Sequence, residues 1–177
     1  MTRTTNVQAV SLFLALLAVV AQVGVGTMLA GLALPRLRGR VVATVGPVAL
    51  TLAAVVAVAS MAGSLYFSEV AHFTPCRLCW YQRIAMYPLA VILPIAAARG
   101  FVSRYVAPLA GIGAVIAIYH ILVERFPSLE TRACDPLNPC SLIWVKRLGY
   151  ITIPTMALSG FAAILVLLSV RRPWDQP

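Results

Sequence analysis

The chain has 177 residues, of which 61% are hydrophobic and only 11% are charged, whereas about 25% of the residues in an ordinary soluble domain are charged. This composition excludes a typical soluble domain and indicates an integral membrane protein in a lipid bilayer. The net charge of +9 does not indicate a nucleic-acid partner, because the basic residues lie in short turns between apolar segments.

Five apolar segments are long enough, or nearly so, to cross a hydrocarbon core as helices of about 20 residues. They are residues 7–34, 42–66, 84–98, 105–123 and 148–170. The first is longer than the apolar core of a signal peptide, which has about 7 to 15 residues, so we expect a retained helix. The third is the shortest and lies between Arg83 and Arg99. The predicted fold class is all-α integral membrane.

Short basic turns predict the orientation of these spans. Arg36, Arg38 and Arg40 follow the first span, and Arg99 and Arg104 follow the third. Short basic loops tend to stay in the cytoplasm, so alternation places the N-terminus outside and makes residues 68–82 and 124–149 the outer loops. The second outer loop is itself partly basic, so the charge pattern is not fully one-sided.

All four cysteines of the chain fall in these two outer loops. An even number on one side predicts pairing in an oxidising compartment. Cys76 and Cys79 form a C-x-x-C pair at the mouth of the third span, where a helix start favours thiolate over thiol. Cys134 and Cys140 are separated by a polar segment with two prolines, which we expect to be a mobile loop within reach of a soluble protein.

Three interpretations of the cysteines compete: a redox relay, structural disulfides and a four-thiolate zinc site. A C-x-x-C disulfide closes very little chain and therefore stabilises a fold poorly. The spacing of the second pair departs from usual zinc sites, and an oxidising exterior disfavours free thiolates. The sequence therefore favours the redox relay, with no metal.

Residues 75–84, with the sequence PCRLCWYQRI, closely resemble the signature of the DsbB and BdbC family of disulfide bond formation membrane proteins. The resemblance extends through SLYFSE at residues 64–69, MYP at 86–88, the paired cysteines of the second loop and GYITIP at 149–154. It covers roughly residues 45–170. The short spacing of the second cysteine pair is most similar to the BdbC branch.

This resemblance implies a four-helix transmembrane bundle in residues 41–177, to which residues 1–40 add an extra N-terminal transmembrane helix and a basic cytoplasmic turn. It also implies a multi-pass protein of the bacterial inner membrane with both cysteine loops extracytoplasmic. Such a protein reoxidises a thioredoxin-fold dithiol partner similar to DsbA or BdbD. It passes the electrons to a membrane quinone, ubiquinone or menaquinone, and so supports disulfide formation in exported proteins.

The resemblance further suggests a role for each cysteine. A partner thiolate would attack Cys134 in the Cys134–Cys140 disulfide, the resulting thiols would reduce Cys76–Cys79, and Cys79 would pass electrons to quinone. Arg83 lies four residues after Cys79 and would share its helix face if the helix has begun. It would then favour the thiolate and bind a quinone carbonyl, although it could instead reach only to the lipid headgroups.

His120, near the outer end of the fourth span, could donate a hydrogen bond or proton to quinone, but a lone helical histidine is more often structural. Two alternative functions remain. A vitamin K epoxide reductase-like enzyme also couples cysteine pairs to quinone, although there the C-x-x-C pair follows the loop cysteines. A non-catalytic membrane assembly protein stapled by disulfides would not oxidise dithiols with quinone.

Overall fold

The computed structural model describes residues 2–100, 104–131 and 134–171, and these residues contain helices and no β-strand. The prediction of an all-α membrane protein is confirmed. The described residues form six α-helices in chain order: α1 (Thr2–Ala33), α2 (Pro35–Val45), α3 (Ala49–Leu65), α4 (Arg77–Arg99), α5 (Val106–Arg125) and α6 (Ile153–Val170). A 3-10 turn at Gly46–Val48 joins α2 to α3, and a π-helical turn at Tyr66–Val70 extends α3.

Five helical stretches in the described residues are long and apolar enough to cross a membrane: Asn6–Ala33, Pro35–Val70, Arg77–Arg99, Val106–Arg125 and Ile153–Val170. The second includes both α2 and α3. Many of their large apolar side chains are exposed on the outer faces of the helices. That is the arrangement expected where the surrounding solvent is lipid.

Three span starts differ from the sequence prediction. The second helical stretch begins at Pro35 instead of residue 42, so Arg36, Arg38 and Arg40, which were predicted to form a turn, lie in helix α2. α4 begins at Arg77 instead of residue 84, because its charged first turns interrupt the apolar pattern without interrupting the helix. α6 begins at Ile153 instead of residue 148. Before it, Arg147 and Ile151 exchange two backbone hydrogen bonds of 2.8 and 2.9 Å, and the tight turn between them has positive φ at Leu148 and Gly149.

Helices α3 to α6 form the bundle core, in which small residues allow close approach. Ala53 and Ala57 on α3 are fully buried. On α5, Gly113 lies directly beneath the ring of Phe161 from α6, and a Cβ atom there would come within 2.3 Å of the ring. α1 packs outside this core, chiefly against α6 and α2.

The cysteine loops and the start of α1 lie at the same end of the bundle. The amide of Asn138 in the second loop donates to the carbonyl of Pro75 in the first, at 3.1 Å. Arg147 donates to the hydroxyl of Ser11 on α1, at 3.0 Å. The N-terminal end of α1 is therefore on the cysteine side, as the two spans between it and the first cysteine loop require.

Candidate active site

The C-x-x-C pair begins α4. Cys76 is the N-cap residue, and its Sγ accepts a hydrogen bond from the backbone N–H of Cys79 at 3.4 Å. In this structure both residues are free thiols, and their Sγ atoms lie 3.0 Å apart. Cys76 is buried and Cys79 is partly exposed. The prediction that this pair sits at a helix mouth is confirmed.

The surroundings of Cys76 favour its thiolate. The pKa of the Cys76 thiol is lowered chiefly by the hydrogen bond with the Cys79 side chain. Burial opposes this effect, and His120, whose Nε2 lies 3.7 Å from Cys76 Sγ, lowers the pKa further. The helix N-terminus also favours a negative charge. Cys76 is thus the thiolate that the sequence analysis expected somewhere in the pair.

Cys134 and Cys140 form a disulfide, which takes two of the four thiolates that the zinc interpretation requires. The prediction that a soluble protein could reach this loop is wrong for its sulfurs, since Cys134 is 7% exposed and Cys140 is fully buried. Only the loop tip is open, where Leu137 is 95% exposed. A partner can attack this disulfide only after the loop opens.

Contacts with distant residues bury the loop. One of these contacts is the hydrogen bond from Asn138 to Pro75. In addition, the carboxylate of Glu130 accepts hydrogen bonds from the backbone N–H of Cys140 and from the hydroxyl of Ser141, the latter at 2.9 Å. The sequence analysis missed both Asn138 and Glu130. Nothing in their local sequence distinguishes them from ordinary loop residues.

The two cysteine pairs pack together. Cys76, Cys134 and Cys140 belong to one buried cluster with Leu78 and Val123, and Cys79 packs against it. The structure therefore brings together all four cysteines predicted as catalytic. This proximity is what an exchange between the pairs requires.

His120 lies between the pairs and is 2% exposed. Its Nδ1 is 3.0 Å from the side-chain amide nitrogen of Gln82, which donates to it. In that tautomer Nε2–H donates to the carbonyl oxygen of Cys140 at 3.0 Å. His120 thus holds Cys140 beside Cys76. Gln82 was not predicted, because the sequence placed it in the outer loop of residues 68–82, whereas it lies in the second turn of α4.

Arg83 lies one turn after Cys79 in α4, so the predicted shared face is formed. Its Nη2 donates to the carbonyl of Ser64 on α3 at 2.9 Å, and its guanidinium lies 5.2 Å from the ring centroid of Trp80. Both Cys79 and Arg83 line a cavity of about 340 Å³ between α1, α3, α4 and α6. Arg83 is therefore half-buried at the wall of the cavity.

The cavity fits a quinone chemically. Its lining is mostly apolar, as a hydrophobic tail requires, and Arg83 supplies a cationic donor suited to a carbonyl oxygen. The volume lies within the range of about 300–1,000 Å³ typical of small-molecule sites. A thiol of the C-x-x-C pair is present in the same lining.

The family model for disulfide bond formation protein DsbB matches residues 47–138, just over half of the chain. The chain belongs to this family. It is 47% identical over 121 residues to disulfide bond formation protein C of Bacillus subtilis, a match covering 67% of this chain and 88% of that relative. A probable disulfide formation protein of Deinococcus radiodurans is 46% identical over 134 residues, covering 70% of this chain and 88% of the relative.

A third relative, probable disulfide formation protein C 2 of Bacillus anthracis, is 40% identical over 125 residues, which cover 70% of this chain and 89% of the relative. No solved structure matches the chain. The predicted resemblance to the DsbB and BdbC family is confirmed, and with it a membrane oxidoreductase of disulfide formation. The matched region contains Cys76, Cys79 and Cys134, and Cys140 lies two residues beyond it.

Replacing Glu130 with Ala in this family member should expose the loop disulfide. The variant loses both bonds from Glu130, and a hydrogen bond to a charged group contributes about 1.5–3 kcal/mol. The loop should open more often, so a small phosphine should reduce Cys134–Cys140 about 10-fold faster or more. Mass spectrometry of alkylated thiols measures the rate. Glu130→Gln keeps an acceptor for the Cys140 N–H and is the matched control; equal rates in all three proteins would contradict the assigned role.

Proposed function

We propose that this protein is a dithiol:quinone oxidoreductase that reoxidises an extracytoplasmic thioredoxin-fold partner. The observation that carries the proposal is the packing of the two cysteine pairs in one buried cluster, with Cys79 and Arg83 lining an apolar cavity. The loop pair is then available to the partner once its loop opens, and the other pair to an electron acceptor dissolved in the membrane.

The first exchange takes electrons from the partner. A partner thiolate attacks Cys134 Sγ, the Cys134–Cys140 bond breaks, and Cys140 leaves as a thiolate. The second partner thiol then displaces Cys134, so the partner gains a disulfide and both loop cysteines are reduced. Cys134 is the better target because Cys140 is fully buried and held by His120 and Glu130.

The second exchange passes the electrons inward. The Cys140 thiolate attacks Cys76 in an oxidised Cys76–Cys79 pair, and Cys79 leaves as a thiolate beside the cavity. Cys134 then attacks Cys140, which restores the loop disulfide and releases Cys76. The products are two free thiols at Cys76 and Cys79 and a disulfide between Cys134 and Cys140, the redox state described above.

Residues of the cavity prepare the final step. A quinone bound beside Cys79 and Arg83 would supply an acceptor for two electrons and two protons, and the loss of these from the two thiols would return Cys76 and Cys79 to a disulfide. Arg83 orients the acceptor and favours negative charge beside Cys79, while the apolar lining excludes water. The hydrogen bond from Arg83 to Ser64 fixes the guanidinium before binding, so less ordering is needed when the acceptor enters.

The same proposal includes the location and domain division. Residues 41–177 form the redox unit and residues 1–40 an additional N-terminal segment, in a bacterial inner membrane with both cysteine loops extracytoplasmic. Arg36, Arg38 and Arg40 lie at the start of α2 and are separated from the first cysteine loop by the rest of α2 and by α3, which supports this orientation.

A tag attached at residue 2 should therefore be removed by protease in intact spheroplasts, because α1 places its N-terminal end on the cysteine side. A tag inserted after Gly39, in the basic first part of α2, is the control and should be protected. Protection of the tag at residue 2 together with exposed cysteine loops would contradict the orientation.

The function is tested with purified protein, a reduced thioredoxin-fold dithiol protein and either ubiquinone or menaquinone. Quinone absorbance should fall as the dithiol is oxidised, one quinone for each disulfide formed. A variant with all four cysteines changed to Ser is the control. Dithiol oxidation without quinone consumption, or no turnover with any quinone, would favour a disulfide-stapled assembly protein instead.

A further inference from the structure

One face of α1 lines the cavity that holds Cys79 and Arg83. Leu14, Leu17, Ala18 and Ala21 all contribute to the lining, and their spacing of three or four residues places them on one side of the helix. The other walls come from α3, α4 and α6. α1 lies outside the region that matches the family model, residues 47–138.

Polar contacts fix α1 against the rest of the bundle. The side-chain nitrogen of Gln22 donates a hydrogen bond to the hydroxyl of Ser159 on α6 at 2.9 Å. The side-chain oxygen of Gln22 accepts a hydrogen bond from the hydroxyl of Tyr150 at 2.8 Å. Near the other end of this face, the hydroxyl of Ser11 accepts a hydrogen bond from Arg147. Ser11 is almost fully buried. Hydrogen bonds between helices in a membrane specify how the helices pack, so this face of α1 is held towards the cavity.

Buried small residues of α1 and one contact with α3 support the same placement. Ala15 and Ala18 are buried, and Leu14 lies over Gly63, where a Cβ atom would come within 3.1 Å of its side chain. α1 therefore covers the cavity on the side that would otherwise face the bilayer.

Different helices supply the reactive and the apolar side chains of the lining. α4 contributes the thiol of Cys79 and the cation of Arg83, whereas α1 contributes only apolar side chains. A quinone has a polar ring and a hydrocarbon tail, so the ring suits α4 and the tail suits α1.

We propose that α1 is a wall of the electron-acceptor site and that Leu14, Leu17 and Ala21 contact the hydrocarbon part of the bound quinone. The additional N-terminal helix then determines how tightly the acceptor binds. This inference rests on the proposed function, because it takes the quinone as the occupant of the cavity.

Binding of a quinone to the purified full-length protein tests the role of α1. The probe is ubiquinone with a short isoprenoid tail, and binding is followed by quenching of tryptophan fluorescence, since Trp144 also lines the cavity. The larger side chain in Ala21→Phe fills part of the cavity, so the quinone tail loses apolar contact there. Loss of a contact the size of a leucine side chain weakens binding about 10-fold or more. We expect Kd to rise by that factor while thiol exchange with the partner is unchanged. Ala30→Phe makes the same change at an exposed position of α1 and should leave Kd unchanged.

A second measurement uses the wild-type protein and so does not depend on how a variant folds. A ubiquinone analogue with a photoreactive group in its tail should label residues 14–21, as found by mass spectrometry. Excess ubiquinone should suppress the labelling. Labelling confined to α3, α4 and α6, or equal Kd values for Ala21→Phe and wild type, would overturn the role of α1 and leave the proposed function intact. Absence of saturable quinone binding to the wild type would overturn both.

Discussion

A Cys140→Ser variant is expected to accumulate a mixed disulfide between Cys134 and the partner when it is mixed with the oxidised partner, because the Cys134 thiolate attacks the partner's disulfide and no Cys140 thiol is present to displace the partner. The partner's second thiol can still resolve this adduct slowly, but Cys140 is missing for the exchange that passes electrons to Cys76–Cys79. Turnover should fall on the order of 10³-fold or more, as when a nucleophile is removed from an enzyme. Non-reducing gels and mass spectrometry of the adduct measure the trapped species.

The complementary Cys134→Ser variant is the matched control. Cys140 is fully buried in the cluster with Cys76, so we expect little adduct on it. An adduct that forms on Cys140 in this variant, with none on Cys134 in the first, would reverse the assignment of the attacked sulfur.

Arg83→Gln should slow quinone reduction by about 10- to 100-fold, because a hydrogen bond to a charged group is worth about 1.5–3 kcal/mol. Exchange between the partner and Cys134–Cys140 should continue, since Arg83 lies at the cavity and not in the cluster of the loop disulfide. The measurement is quinone turnover over a range of quinone concentrations.

Two further variants separate the charge of Arg83 from its structural role. Arg77→Gln removes the same charge from an exposed position in the first turn of α4 and should leave turnover unchanged. Arg83→Lys keeps the charge but loses the planar group that donates to Ser64, so turnover should fall by less than in Arg83→Gln. Wild-type turnover in Arg83→Gln would show that Arg83 serves only to anchor α4 to α3.

Much of this arrangement was predictable from hydropathy and spacing. Long apolar segments specify membrane helices because the backbone has no other partner in hydrocarbon, and five were found. The step of four residues from Cys79 to Arg83 predicted one helix face, and both side chains line the cavity. Where charges interrupt an apolar run, as at Arg77 and Arg83, the pattern placed the start of α4 too late.

The burial of the loop disulfide was not predictable in this way. Its composition, with two prolines and polar residues, is typical of an exposed loop. The contacts that bury it come from Pro75, which is 63 residues from Asn138 in the chain, and from His120, 20 residues before Cys140. Such tertiary contacts override local preference and leave no periodic signal in the sequence. For the same reason the position of α1 against α6 could not be predicted.

The contact between Gln22 and Ser159 has a consequence for biosynthesis. These residues are 137 positions apart, so α1 leaves the ribosome first and its main partner, α6, leaves last. α1 therefore lies in the bilayer without α6 until the other spans have been inserted. A nascent chain that ends before Ile153 already contains all four cysteines but has an incomplete cavity. The cavity lined by Cys79 and Arg83 can therefore be complete only after α6 has been synthesised.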